Sequence, residues 1–311
     1  EAQGFRVFTG GNIGTPLSTY ILERRAGSPK ADIVVLELSS FQLQTCSTLR
    51  PHVAVLMNIS ENHLDYHKDM EEYVSAKMRL FARQGPEDVA VLHRGMDELA
   101  AHYKLKARIV WHDTPTSRED LARFSGIRLL GPHNLANAQA AWLACREFGV
   151  TEQAAARATA GFRPLEHRLE RVGERNGVLF VNDSKCTTVE ALRVALNAFD
   201  GAILLLAGGK FKGGDLAALR PLLKEKVRHL ALYGASRDHF EQAFSGIVPV
   251  SWDETLEQAM RRLNDQARPG DVVLLAPATS SFDQYENYRR RGEDFKRIFA
   301  SMTSACAEPR A

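Results

Sequence analysis

At 311 residues, with 44% hydrophobic and 25% charged positions, the chain has the composition of a folded globular protein and the length of two domains, which excludes disordered and fibrous classes. Lys+Arg total 40 against 38 Asp+Glu, and a net charge of +2 excludes the basic surface of a nucleic-acid-binding domain and favours a small-molecule partner. No apolar run approaches the roughly 20 residues that span a bilayer. The 4 cysteines, at 46, 145, 186 and 306, form no C-x-x-C pair and suit a reducing cytoplasm. The opening Glu1–Phe5 has neither a signal sequence nor a start methionine and reads as a cut within something longer.

In chain order, short apolar runs alternate with helical patterns, which predicts α/β architecture with mostly parallel sheets. The runs 33–38 and 53–58 have the length and β-branched content of buried strands. In open α/β sheets ligands gather at the carboxyl ends of strands, so Glu37 and the segment Asn58–His63 are expected to converge. Glu37, followed by Ser39 and Ser40, is either a Mg²⁺ ligand or part of a helix cap. His63-x-Asp65-x-His67 invites a zinc reading, although its alternate spacing matches no familiar zinc motif. The other reading is one histidine on a hard cation or a phosphate. Met70, Tyr73, Val74, Lys77, Met78 and Phe81 share one helical face, and Lys77 is a surface cation, a phosphate contact or a neutral amine open to carbamylation.

Further along, 134–148 predicts a helix stopped by Gly149, with Asn134 as an N-cap or a ligand contact and Thr151 as the next N-cap. The segment Gly161–Leu165 breaks the pattern and predicts a hinge, dividing the chain into 1–164 and 165–311. Strands are then expected at 178–182, 203–207, 230–233 and 272–276, forming a second doubly wound unit. Three polar segments follow strands: Asn182–Thr187; Ala207–Asp215, with four glycines and two lysines but no G-x-x-x-x-G-K-[ST]; and Pro277–Tyr285, rich in hydroxyls. The glycines of the second are expected to let the backbone approach an anion. The hydroxyls of the third serve either substrate contacts or capping. The stretch from Ser301 onward is expected to fray.

Taken together, Glu-Leu-Ser-Ser-Phe-Gln-Leu at 37–43, Asn-Asp-Ser-Lys at 182–185, and Ser-Ser-Phe-Asp-Gln-Tyr with Arg291-Gly292-Glu293 make the chain resemble the Mur ligases of bacterial peptidoglycan synthesis, in the branch that adds D-glutamate. The resemblance implies a partial central, mostly parallel ATPase-type sheet followed by a Rossmann-like C-terminal domain. It also implies a missing N-terminal domain and a missing phosphate loop upstream of Gly10–Gly14, so that the chain alone is expected to be inactive.

The resemblance further implies that ATP and two Mg²⁺ ions serve the reaction, with Glu37 and His63 as metal ligands, carbamylated Lys77 helping to hold one ion, and His63 the nearest candidate base. Asn12 and His63 would approach UDP-N-acetylmuramoyl-L-alanine. Asn134 would contact adenine, Asp183 and Lys185 would reach the nucleotide, and His167 and Arg168 would form a domain-junction pair that senses closure. Thr187, Lys212, Ser281 and Tyr288 fall where the family binds D-glutamate; tyrosine replaces the expected phenylalanine, and Lys210 competes with Lys212. The enzyme would act as a cytoplasmic monomer, with no nucleic acid or membrane partner. Two rival readings remain: a sibling ligase with another amino-acid acceptor, and a non-catalytic nucleotide- or metabolite-binding module.

Overall fold

The computed structural model describes residues 1, 3–61, 63–64 and 66–304. The chain divides into two compact units, 1–127 with 135–162, and 128–134 with the residues from 163 onward.

The first unit carries two small parallel sheets. One pairs β1 (Val7–Gly11) with β2 (Ile33–Glu37); the other has the order β3 (Val53–Leu56), β4 (Val89–His93), β5 (Arg108–His112). Alternation along β4 splits its side chains between two cores. Ala90 and Leu92 face Met78 and Phe81, while Val89 and Val91 face Phe124, Trp142 and Leu143. The β2 run forms the expected strand, but its burial was misread. None of its five residues is buried, and Val34 and Val35 remain 42% and 49% exposed, because its one partner is β1 and the helix Leu17–Arg25 buries no residue.

The second unit is a six-stranded sheet built from β6 (Glu170–Arg175), β7 (Val178–Asn182), β8 (Ile203–Gly208), β9 (Val227–Tyr233), β10 (Val250–Asp253) and β11 (Val272–Leu275). Its order is β10-β9-β8-β11-β7-β6, parallel except for β6, which runs antiparallel to β7. All of β8 and β11 is buried. Ile203, Leu205, Leu230, Val272 and Leu274 pack on one face against helices Val189–Leu196 and Arg237–Phe244. Leu204, Leu206, Val273 and Leu275 pack on the other against Leu256–Gln266 and Tyr288–Ser304. Helices on both faces explain why these strands read as unbroken apolar runs. The last helix continues through Ser304 with Met302 buried, so fraying does not begin at Ser301; 305–311 lie outside the described residues.

The predicted helical face at 70–81 is a helix, Met70–Met78, followed by a tight turn at Arg79–Phe81. The helix predicted at 134–148 starts earlier, at Pro132, and ends at Arg146. Proline suits a first turn, where its missing N–H has no partner to lose. Asn134 therefore lies inside the first turn and is not the N-cap. Thr151 caps the next helix through Ala154 N–H, as expected.

Candidate active site

In the first unit the loop after β1 folds back tightly: Gly11 N–H donates to Thr15 O, and Asn12 N–H donates to Glu37 O at 2.7 Å. Gly11 has φ 115, and a Cβ there would sit 2.3 Å from Glu37 O, so only glycine fits. This close approach lets Asn12 Nδ2 donate to Glu37 Oε1 at 3.1 Å. Oε2 of this exposed carboxylate makes no hydrogen bond among the described residues. Glu37 takes no part in capping the next helix. Ser39 does that, accepting from Gln42 N–H while Gln42 Oε1 accepts from Ser39 N–H.

The segments following β2 and β3 meet through Phe41 and Ser40. Phe41 packs edge-on to His63 with ring centroids 4.9 Å apart, and Ser40 Oγ lies 2.9 Å from His67 Nε2. Tyr73 completes the cluster: His63 lies 6.3 Å from its ring, and Lys77 Nζ lies 5.1 Å from the same centroid. The two histidines thus diverge in role. His67 is 1% exposed and stacks on Phe41, a structural pin, whereas His63 is exposed, with a left-handed backbone at φ 57. Asp65 of the zinc reading, and Asn62 beside it, lie outside the described residues. Among the described residues no three His, Cys, Asp or Glu side chains converge as a metal cage.

In the second unit the carboxyl ends of β7, β8 and β11 lie on one edge of the sheet, where parallel α/β folds collect ligand-binding residues. Asp183 follows β7 and is 9% exposed. Burial pushes its carboxyl up to about 6, against the opposing pull of the Leu169 N–H bond to Oδ1 and the Arg168 guanidinium. Lys185 Nζ lies 4.3 Å over the Tyr288 ring, and His167, 3% exposed, meets that ring edge-on at 6.0 Å. Burial also lowers the His167 pKa. Lys185, His167 and Tyr288 are therefore brought together; Arg168 is exposed and Thr187 half-buried. Asn134, in the 128–134 segment, donates from Nδ2 to Leu130 O at 2.7 Å.

The glycine-rich and hydroxyl-rich segments are zipped to each other. Lys210 and Ser280 exchange backbone hydrogen bonds at 2.9 and 3.1 Å. This gives the first glycines a packing role, and leaves their approach to an anion as an expectation. A Cβ at Gly208 would lie 2.0 Å from Tyr233 O, and one at Gly209 2.4 Å from Ser280 O, so both serve close backbone passage. Thr279 and Ser280 spend their hydroxyls on Gly208 O and Lys210 O. Ser281 is buried, and its hydroxyl makes no hydrogen bond among the described residues. Lys210 and Lys212 are both exposed.

Arg291 was missed as an individual residue. Fully buried, it donates from Nε to Ser184 Oγ at 3.0 Å and from Nη2 to Ser184 O and Thr279 O at 2.9 and 3.1 Å. One guanidinium thereby ties the segment after β7 to the segment after β11. Its signal was helical phase: Arg291 falls in step with the buried Phe295, Ile298 and Met302.

The doubly wound sheet, with polar Gly-Lys and Ser segments paired at its carboxyl edge, defines an α/β protein of the class that collects ligand-binding residues at that edge. The Mur ligase middle domain matches residues 1–145, and the Mur ligase glutamate ligase domain matches 167–279. A UDP-N-acetylmuramoylalanine–D-glutamate ligase of Oleidesulfovibrio alaskensis is 59% identical over 301 residues, 97% of this chain and 66% of that protein. A protein of the same name from Geotalea uraniireducens is 40% identical, over 97% of this chain and 70% of that one. The chain belongs to the Mur ligase family. It spans less than two thirds of its first relatives, 65% in the case of the Lawsonia intracellularis ligase. Among solved structures, the fold matches the MurF ligase of Thermotoga maritima in complex with ADP, with TM-score 0.69 at 19% identity, covering 96% of this chain and 75% of that one.

Proposed function

We propose that this chain carries the ATP-handling and amino-acid-handling parts of a ligase that joins D-glutamate to UDP-N-acetylmuramoyl-L-alanine, divided functionally into 1–164 and 165–311. The observation that carries the reading is the identity to relatives bearing that name, 59% at the highest shown above. A carboxylate is a poor electrophile. Transfer of the ATP γ-phosphoryl group to the substrate carboxylate breaks the bond to ADP and forms an acyl phosphate. The neutral amine of D-glutamate then forms the C–N bond, phosphate leaves with the C–O bond electrons, and the amine proton is lost.

In this reading Glu37 and His63 hold Mg²⁺. Glu37 fits a hard dication, which takes one or two carboxylates and completes its shell with water and phosphate oxygens, and it has one oxygen free for it; His63 would add a softer nitrogen donor. Lys77 fits only as its carbamate, formed when the neutral Nζ bonds to the carbon of CO₂ and a proton leaves. Bound Mg²⁺, two ions in this proposal, neutralises charge on the phosphoryl oxygens. Asn12 and His63 orient the UDP substrate, and Asn134 meets adenine. Asp183 and Lys185 reach the nucleotide, with His167 and Arg168 at the domain junction. Thr187, Lys212, Ser281 and Tyr288 receive D-glutamate, and the free Ser281 hydroxyl supports its assignment.

The proposal includes a cytoplasmic monomer working on small molecules, not on nucleic acid or membrane. Among the described residues no helix is long and apolar enough to cross a membrane. The test is ADP formation by the natural full-length gene product with UDP-N-acetylmuramoyl-L-alanine and a panel of amino acids. D-glutamate alone is expected to support turnover. Preference for another acceptor, or no ADP with any, overturns the reading.

A further inference from the structure

Asn182, the last residue of β7, is fully buried, and both ends of its amide are committed. Oδ1 accepts Ser184 N–H at 3.1 Å, while the two protons of Nδ2 face three acceptors, of which Glu170 Oε2 lies at 2.9 Å and Gly292 O, the farthest, at 3.3 Å. A backbone N–H only donates and a carboxylate only accepts, so these partners fix which way the amide points. The same Nδ2 lies 3.0 Å from His167 Nδ1. The two Nδ2 protons go to the two shorter contacts, Glu170 Oε2 and His167 Nδ1, so Nδ1 presents its lone pair and the ring proton sits on Nε2.

Glu170 is the hub of this arrangement. Its Oε2 also accepts His167 backbone N–H at 2.9 Å, and Oε1 accepts Lys296 Nζ at 3.1 Å. The loop so held is one that few side chains adopt freely, with left-handed backbones at both His167 (φ 64) and Leu169 (φ 42). That loop in turn supplies two contacts to the segment after β7: Leu169 N–H to Asp183 Oδ1 at 3.2 Å, and Lys185 N–H to His167 O at 3.0 Å. Gly292 closes the remaining side, since a Cβ there would lie 2.2 Å from His167 Nδ1.

We propose that Asn182 and Glu170 are positioning residues that hold His167 neutral, with its proton on Nε2, and that lock the His167–Leu169 turn supporting Asp183 and Lys185. His167 is then a hydrogen-bond donor and not the base that deprotonates an incoming amine. The consequence for catalysis rests on the ligase reading; the tautomer does not. The charged groups facing the ring are Glu170 from β6, Glu166 from the preceding loop, and Glu293 and Lys296 from the last helix, and burial outweighs the acids.

The test is a long-range proton–nitrogen correlation spectrum of the isotope-labelled 311-residue chain, with H167Q assigning the ring. At pH 7 the His167 ring is expected to show one protonated nitrogen, Nε2, and an unprotonated Nδ1, unchanged between about pH 7 and pH 8. In N182D a carboxylate replaces the amide donor, and both nitrogens are expected to carry protons at pH 7. In E170A the amide loses its anchor, and an Nδ1-protonated population should appear. A wild-type ring protonated on Nδ1, or charged across that range, overturns the proposal even if a variant fails to fold. So does a wild-type pattern persisting in folded N182D. Absence of ligase activity in the full-length gene product, with the expected spectrum in the 311-residue chain, would sink the proposed function and leave this inference standing.

Discussion

Asp183 shows how a single side chain can be kept at a thermodynamic disadvantage. Its pKa in the folded chain, about 6, lies above the ordinary 3.8 of an aspartate. The favourable protonated form therefore contributes fully below about pH 4 and is lost as pH rises through 6, after which the buried carboxylate costs about 3 kcal/mol. D183N keeps the oxygen that accepts Leu169 N–H and removes the charge. It is expected to be more stable than wild type at pH 8 by up to about 3 kcal/mol, a gap that closes toward pH 4 in urea titrations followed by circular dichroism. Equal stability at pH 8 would contradict the assignment. Groups held at such a disadvantage concentrate at functional sites, which is the physical ground for placing Asp183 in one. Asp183, Lys185 and Ser281 stand out in the sequence because they lie in polar segments that follow apolar runs. Arg291 and Asn182 carry weaker signals, a helical phase shared with Phe295 and a place at the end of an apolar strand, and their partners show only in three dimensions.

At the scale of elements, the short helix Ser40–Thr45 depends on its cap. Six residues are too few for stability on propensity alone, so the reciprocal Ser39–Gln42 bonds and the seating of Ser40 on His67 decide whether it forms. S39A is expected to lower stability by about 1 kcal/mol, measurable by chemical denaturation. A change below about a third of that would mean packing by Leu43 suffices. Central strands β7, β8 and β11 were legible because burial on both faces writes an unbroken apolar run. The edge strands of that sheet, β6 and β10, were not. β6, Glu-Arg-Val-Gly-Glu-Arg with a register shift between Arg171 and Gly173, carries almost no apolar signal and is specified by its partner. For β2 the opposite error arose: the run predicts a strand, but how deeply it is buried depends on neighbours that a local pattern does not contain.

For the whole molecule, two units with separate cores predict separable behaviour. The connection at 161–166 exposes Phe162 and Leu165 at 50% and 62%, and its flanks are structured. Chymotrypsin is expected to cut first after Phe162, giving a C-terminal fragment that resists further digestion because its sheet is covered on both faces. First cuts within β7 or β8 would contradict the two-unit description. The near-neutral charge proved uninformative at this scale. Lys77 and Lys185 each sit over a tyrosine ring, local placements that a net total of +2 does not register.

The proposed ligase activates its substrate carboxylate as an acyl phosphate. Its most direct test uses UDP-N-acetylmuramoyl-L-alanine labelled with heavy oxygen in that carboxylate, turned over by the full-length gene product with ATP and D-glutamate. Mass spectrometry of the released inorganic phosphate is predicted to show one heavy oxygen per turnover. Release of that oxygen as water, or its delivery to AMP, would contradict an acyl-phosphate route.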